Sequence, residues 1–127
     1  MNIEYLASGG EQCPLIRIYG NSKPALQKLS VVVASLLSRR CKRVNLKKLD
    51  FFSCVNACEL SFHVVGRSKG IVVKDNSIFE CLLDIEDWIA VYERIDALTS
   101  ATEPCYQWLD ETSSIALLLS TYNDGRW

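Results

Sequence analysis

The chain has 127 residues, 49% apolar and 23% charged, with a net charge of −1, which is far from the low-hydrophobicity, high-charge signature of disorder. One α+β domain over 1–127 is expected, long enough to bury about two thirds of the surface its unfolded chain exposes. The richest apolar window, Val31–Leu37, is interrupted by Ser35 and falls short of the ~18 residues that span a bilayer; with no basic or apolar leader region at the start, a cytoplasmic location without membrane association is expected.

The near-zero net charge hides a dipolar chain. Residues 1–74 carry twelve Lys/Arg against four Asp/Glu, a charge of +8, whereas 75–127 carry two against eleven, a charge of −9. Six cations fall in the ten positions from Arg39 to Lys48. Six cysteines (13, 41, 54, 58, 81, 105) without an export signal are expected as free thiols rather than a disulfide framework.

In chain order, residues 2–7 suit a short strand, and Leu15–Tyr19 a second, ended by Gly20-Asn21. Ser22 is an N-cap residue and Pro24 fits the first turn of a helix. Leu26, Leu29, Val33, Leu36 and Leu37 then fall on one helical face, so a helix is expected to about Arg40. The β-branched run Val31-Val32-Val33 lowers its propensity, and burial against a sheet must hold it. Arg39, Arg40, Lys42 and Arg43 follow, with the sign that favours a helix C-terminus.

Arg43–Leu49 alternates loosely and is expected as an edge strand, where lysine discourages unwanted pairing. Phe51–Asn56 is expected as a loop. Cys58–Val65 alternates cleanly, with Cys58, Leu60, Phe62 and Val64 inward and Glu59, Ser61 and His63 outward. Residues 66–70 read as a hairpin loop, and 70–74 and 78–83 as strands around the Asp75-Asn76-Ser77 turn. Asp84 with Asp87 three residues on is a variant capping box, opening a helix along Ile85, Trp88, Val91, Tyr92, Ile95 and Leu98 that ends before Pro104. Residues 105–109 and 114–121 then form a hairpin, and Trp127 is expected to dock on an apolar neighbour.

Residues 15–65 and 78–121 share the order strand, helix, strand, strand. Two such units predict two helices packed on one face of a mostly antiparallel sheet of about six or seven strands.

Two charged surfaces are candidates for function. Glu86, Asp87, Glu93, Asp96, Asp110 and Glu111, with Trp88, Tyr92, Tyr106 or Trp108 as aromatic anchors, would suit a basic protein partner, as in an inhibitor or immunity-type protein. Buried aromatics carry interface energy, and opposed charge sets on-rate and specificity. Alternatively Arg39, Arg40, Lys42, Arg43, Lys47 and Lys48 would bind nucleic acid or phosphate by releasing counterions, although no aromatic RNA-binding motif or zinc-finger spacing accompanies them. The bland readings are a solvated helix end and an ordinary core with solvated acids.

Chemistry has weaker signals. Cys54, Cys58 and His63 include zinc-type ligands, but the alternation places Cys58 and His63 on opposite faces and no C-x2-C pair occurs, so no metal or other cofactor is expected. A Cys41 or Cys54 dyad with the single His63, or a carboxylate, would be the route to an enzyme, without a nucleophile elbow or HExxH to support it. The turn at Gly20–Pro24 resembles a helix N-terminal anion site but lacks the P-loop glycine pattern. Opposite-signed halves would also suit self-association.

Overall fold

The computed structural model describes residues 1–127. Strands β1 (Asn2–Leu6) and β2 (Leu15–Tyr19) lead to helix α1 (Lys23–Leu37), followed by β3 (Arg43–Asn45), β4 (Ser53–Cys54) and β5 (Glu59–Val64). Strands β6 (Gly70–Asp75) and β7 (Ile78–Leu83) lead to helix α2 (Ile85–Thr99), followed by β8 (Tyr106–Asp110) and β9 (Ala116–Ser120). The α+β class with two helices against sheet is as expected. The strands, however, divide into two sheets instead of forming one.

Sheet I has the order β4-β1-β2-β9-β8 and sheet II the order β3-β5-β7-β6. Within them β1–β2, β3–β5, β6–β7 and β8–β9 are antiparallel, while β2–β9 and β5–β7 are parallel. Each half of the chain is therefore a hairpin, a helix and a second antiparallel pair. Each half gives its second pair to the other half's sheet. The shared order noted in the sequence is real, but its strands pair across the halves, which is why one continuous sheet does not form.

Both helices form for local reasons. Ser22 accepts the Ala25 N–H and Pro24 occupies the first turn of α1, whose buried face is Ala25, Leu26, Leu29, Val33 and Leu36. The helix ends at Leu37, short of Arg40, because Arg39 takes a left-handed conformation (φ 60°). Asp84 accepts the Asp87 N–H at 2.9 Å to open α2, which buries Trp88, Val91, Ile95 and Leu98. The reciprocal half of that cap is indirect. The Ser68 hydroxyl accepts the Asp84 N–H at 2.8 Å and donates to the Asp87 carboxylate.

The inner faces of both sheets and the two helices share one core that includes Ile16, Ile18, Leu60, Phe62, Phe79, Trp88 and Leu117. The helices run antiparallel: Lys23 at the start of α1 reaches carbonyls at the end of α2, and Leu36 near the end of α1 shares a cleft with Ile85. The edge strand expected over Arg43–Leu49 stops at Asn45, whose side chain accepts the Lys47 N–H and turns Leu46–Lys48 into a single 3-10 turn. This buries Leu46 fully. The expected loop at 51–56 contains β4, parallel to β1.

Sheet I is covered on both faces. Leu15, Leu118 and Ser120 lie on its outer side yet are wholly buried, because the segment after β9 folds over them. Ser120 Oγ donates to the Arg126 carbonyl, Arg17 to the Asp124 carbonyl, and the Trp127 ring meets Trp108 edge-on at 6.4 Å. The expected docking of Trp127 is therefore on Trp108 and, through Nε1, on Gln12. The outer face of sheet II carries no such cover. No helix is long and apolar enough to cross a membrane.

Candidate functional site

The fold brings part of the basic stretch to one end of sheet II. The Lys42 carbonyl accepts the Val64 N–H at 2.9 Å, and Val65 and Lys69 donate to Leu83 and Leu82, so residues 39–43 and the 66–69 loop lie where β5 and β7 finish. Arg39, Arg40, Lys42 and Arg43 are joined there by Arg67 and Lys69, all six exposed, and none forms an ion pair within the chain. Lys47 and Lys48 are carried away by the 3-10 turn. Lys47 lies 3.5 Å from Glu59, while Lys48 shares a basin on the outer face of sheet II with Arg43, His63, Lys74 and Glu80.

Arg67, Lys69 and Lys74 did not stand out in the sequence because they are spread along a loop and a strand. The signal that finds them is pairing register: Arg43 lies opposite His63, and His63 beside Leu82, which fixes which loops adjoin.

The acidic candidates divide into two groups. Asp87, Trp108, Asp110 and Glu111 meet around a shallow groove between α2 and β8 that also holds Arg94. Two of these acids are committed internally: Asp87 to Ser68 and Asp110, only 6% exposed, to the Thr112 hydroxyl and N–H. Glu86, Glu93 and Asp96 instead lie along the solvent side of α2 with Ile89, which is 43% exposed. Val31, the most exposed large apolar side chain, is on α1.

The expected aromatic anchors need correction. Trp88 is wholly buried, its ring tilted against Phe62 at 4.8 Å between centroids and its Nε1 donating to the His63 carbonyl, so it belongs to the core and cannot meet a partner. Tyr92 packs against that core, and Trp108 is half-buried with Trp127 edge-on against it. Tyr106 is the aromatic left exposed.

His63 projects from the outer face of sheet II. Ser61 Oγ is 2.8 Å and Glu80 Oε2 3.3 Å from the same ring nitrogen, Nε2. A relay from nucleophile to base to orienting acid uses both nitrogens, so this is a hydrogen-bonded cluster and not a catalytic triad. Burial lowers the His63 pKa and outweighs the opposing pull of Glu80; Arg43 and Lys74 push the same way as burial. The balance favours the neutral ring.

Cys58, inward at the head of β5, has its thiol pushed up to about 12, first by burial and then by neighbouring Cys54, Glu4 and Glu59. Burial also raises Cys81 and Cys54. The shifts favour the protonated thiol, the less nucleophilic form. All six cysteines are free. No family model matches the chain, and neither does any curated protein or solved structure.

Proposed function

We propose that the chain is a binding module for a polyanion, with nucleic acid as the class to test and the end of sheet II as its contact surface. The observation that supports it is the convergence of Arg39, Arg40, Lys42, Arg43, Arg67 and Lys69, exposed and in no ion pair within the chain. Such a cluster gains affinity by releasing condensed counterions, and that gain weakens steeply with salt. The affinity is expected to be independent of sequence, since the contacts are with phosphate.

The test is fluorescence anisotropy with labelled duplex and single-stranded DNA and RNA over a salt series. Arg40→Ala with Arg67→Ala should weaken binding and reduce the slope of log K against log salt by about one unit per cation removed. Absence of binding at low salt, or a slope indifferent to both substitutions, would overturn the reading.

A second reading, a small inhibitor-like protein that captures a basic partner, rests on the row Glu86, Ile89, Glu93 and Asp96 along α2. Ile89 takes the anchor role that Trp88 cannot. Stoichiometric binding of a basic protein, lost in Ile89→Arg and retained in Arg40→Ala/Arg67→Ala, would put this reading first.

A further inference from the structure

The connectivity of the two halves makes the helix pair quasi-symmetric, with two comparable junctions where one helix ends beside the start of the other. At the first, Lys23 Nζ donates to the Thr99 and Ala101 carbonyls at 3.1 and 2.9 Å. The ammonium plugs that junction, and about 90 Å³ of space remains.

At the second junction the first residue of α2, corresponding to Lys23 in α1, is Ile85. An aliphatic side chain cannot make those bonds. Both helices close with the same N–H bonds, Ser38 to Ala34 and Arg39 to Leu36 in α1, Ser100 to Asp96 and Ala101 to Leu98 in α2, so what the second junction lacks is the side chain that spans the first. A cleft of about 540 Å³ is left, walled by Leu36, Val64, Val65 and Ile85 and flanked by Arg39 and Lys42. That volume is in the range of roughly 300–1,000 Å³ typical of small-molecule sites.

We infer that this cleft is a pocket for a small amphipathic anion, an apolar body bearing one carboxylate or phosphate. The apolar walls take the body, and the sign of the head group follows from the charges at the rim. Two acids also line the cleft, Asp84 and Glu86. Asp84 keeps its charge but turns one oxygen to the Asp87 N–H, so the lining balances two cations against two acids, and the positive excess comes from Arg40 and Arg67, which adjoin Arg39 and Gly66 in the chain. A bare phosphate backbone has no use for the apolar walls, so this site is separable from the polyanion surface although Arg39 and Lys42 belong to both.

The test is a 15N-resolved NMR titration with decanoate and decyl phosphate, using decanol and inorganic phosphate as single-feature probes. Decanoate or decyl phosphate should give saturable shifts at Leu36, Val64, Val65 and Ile85. The affinity should fall at least about fivefold in Lys42→Ala, a modest charge-assisted contact, and disappear in Ile85→Trp, which fills the cleft. Thermal melting checks that both variants are folded. Equal binding of decanol with no loss in Lys42→Ala, or shifts scattered away from the cleft, would overturn the inference. Equal binding of inorganic phosphate would overturn it too while leaving the polyanion surface standing. Decanoate binding in a protein that ignores nucleic acid would sink the proposed function and keep the pocket.

Discussion

Ser68 ties the loop before β6 to the first turn of α2 through one hydroxyl. It accepts from the Asp84 backbone and donates to the Asp87 side chain, while Asp84 caps the Asp87 N–H, so the first turn of α2 is closed by a residue sixteen positions earlier. Ser68→Ala removes both bonds and leaves the half-buried Asp87 carboxylate without its donor. The expected cost is about 1–2 kcal/mol, the scale of a lost helix cap or a charge-assisted hydrogen bond, read as a lower urea midpoint with unchanged m. Ser68→Thr should recover part of it. The Asp84/Asp87 spacing made the cap legible in the sequence, but the relay was not, because nothing local connects position 68 to position 84. The same limit applies to the candidate sites. Trp88 has the helical spacing of a core residue and the acidic neighbours of an interface anchor, and only its packing on Phe62 decides between them.

At the scale of elements, the helices were legible because their apolar period and caps are contained within each segment. Strand partners were not, because β2 and β9 are joined through residues about a hundred positions apart. The run Ile115–Leu119 did carry a trace of the answer. A strand buried on both faces reads as continuous apolar residues instead of alternating ones, and β9 lies under the helices on one side and the terminal segment on the other. That cover depends on Gly125, which has φ +73° and sits so close that a Cβ would come 2.7 Å from Arg17 Nη1 and the Tyr19 ring. Gly125→Ala should therefore combine left-handed backbone strain with a clash, costing about 2 kcal/mol or more. Thermal melting should register the loss, and limited proteolysis should cut the segment after Ser120 faster than in the wild type. An unchanged melt would mean that the cover is not held by this contact.

At the scale of the molecule, exchange of strand pairs decides both charge and stability. The basic and acidic halves do not face each other as two lobes: β5 lies beside β7 and β2 beside β9, so opposite charges are interleaved through the sheets. The surviving concentration of positive charge is set by the loops at one end of sheet II. The same exchange means that neither half contains a complete sheet, since each sheet takes strands from both. A protease recognition site inserted between Gly66 and Arg67, in the exposed loop joining the halves, tests this directly. After cleavage the two pieces should co-elute at the mass of the intact chain and keep its far-UV spectrum, because β2–β9 and β5–β7 still pair. Unfolding then becomes dissociation, so the urea midpoint of the cut protein should move by roughly 0.5–1.4 M for each tenfold change in protein concentration. This follows from about 1.4 kcal/mol per decade and a typical m of about 1–3 kcal/mol/M. The uncut protein should show no such dependence. Separation of the pieces without denaturant would mean that the halves are held by their linker instead of by exchanged strands.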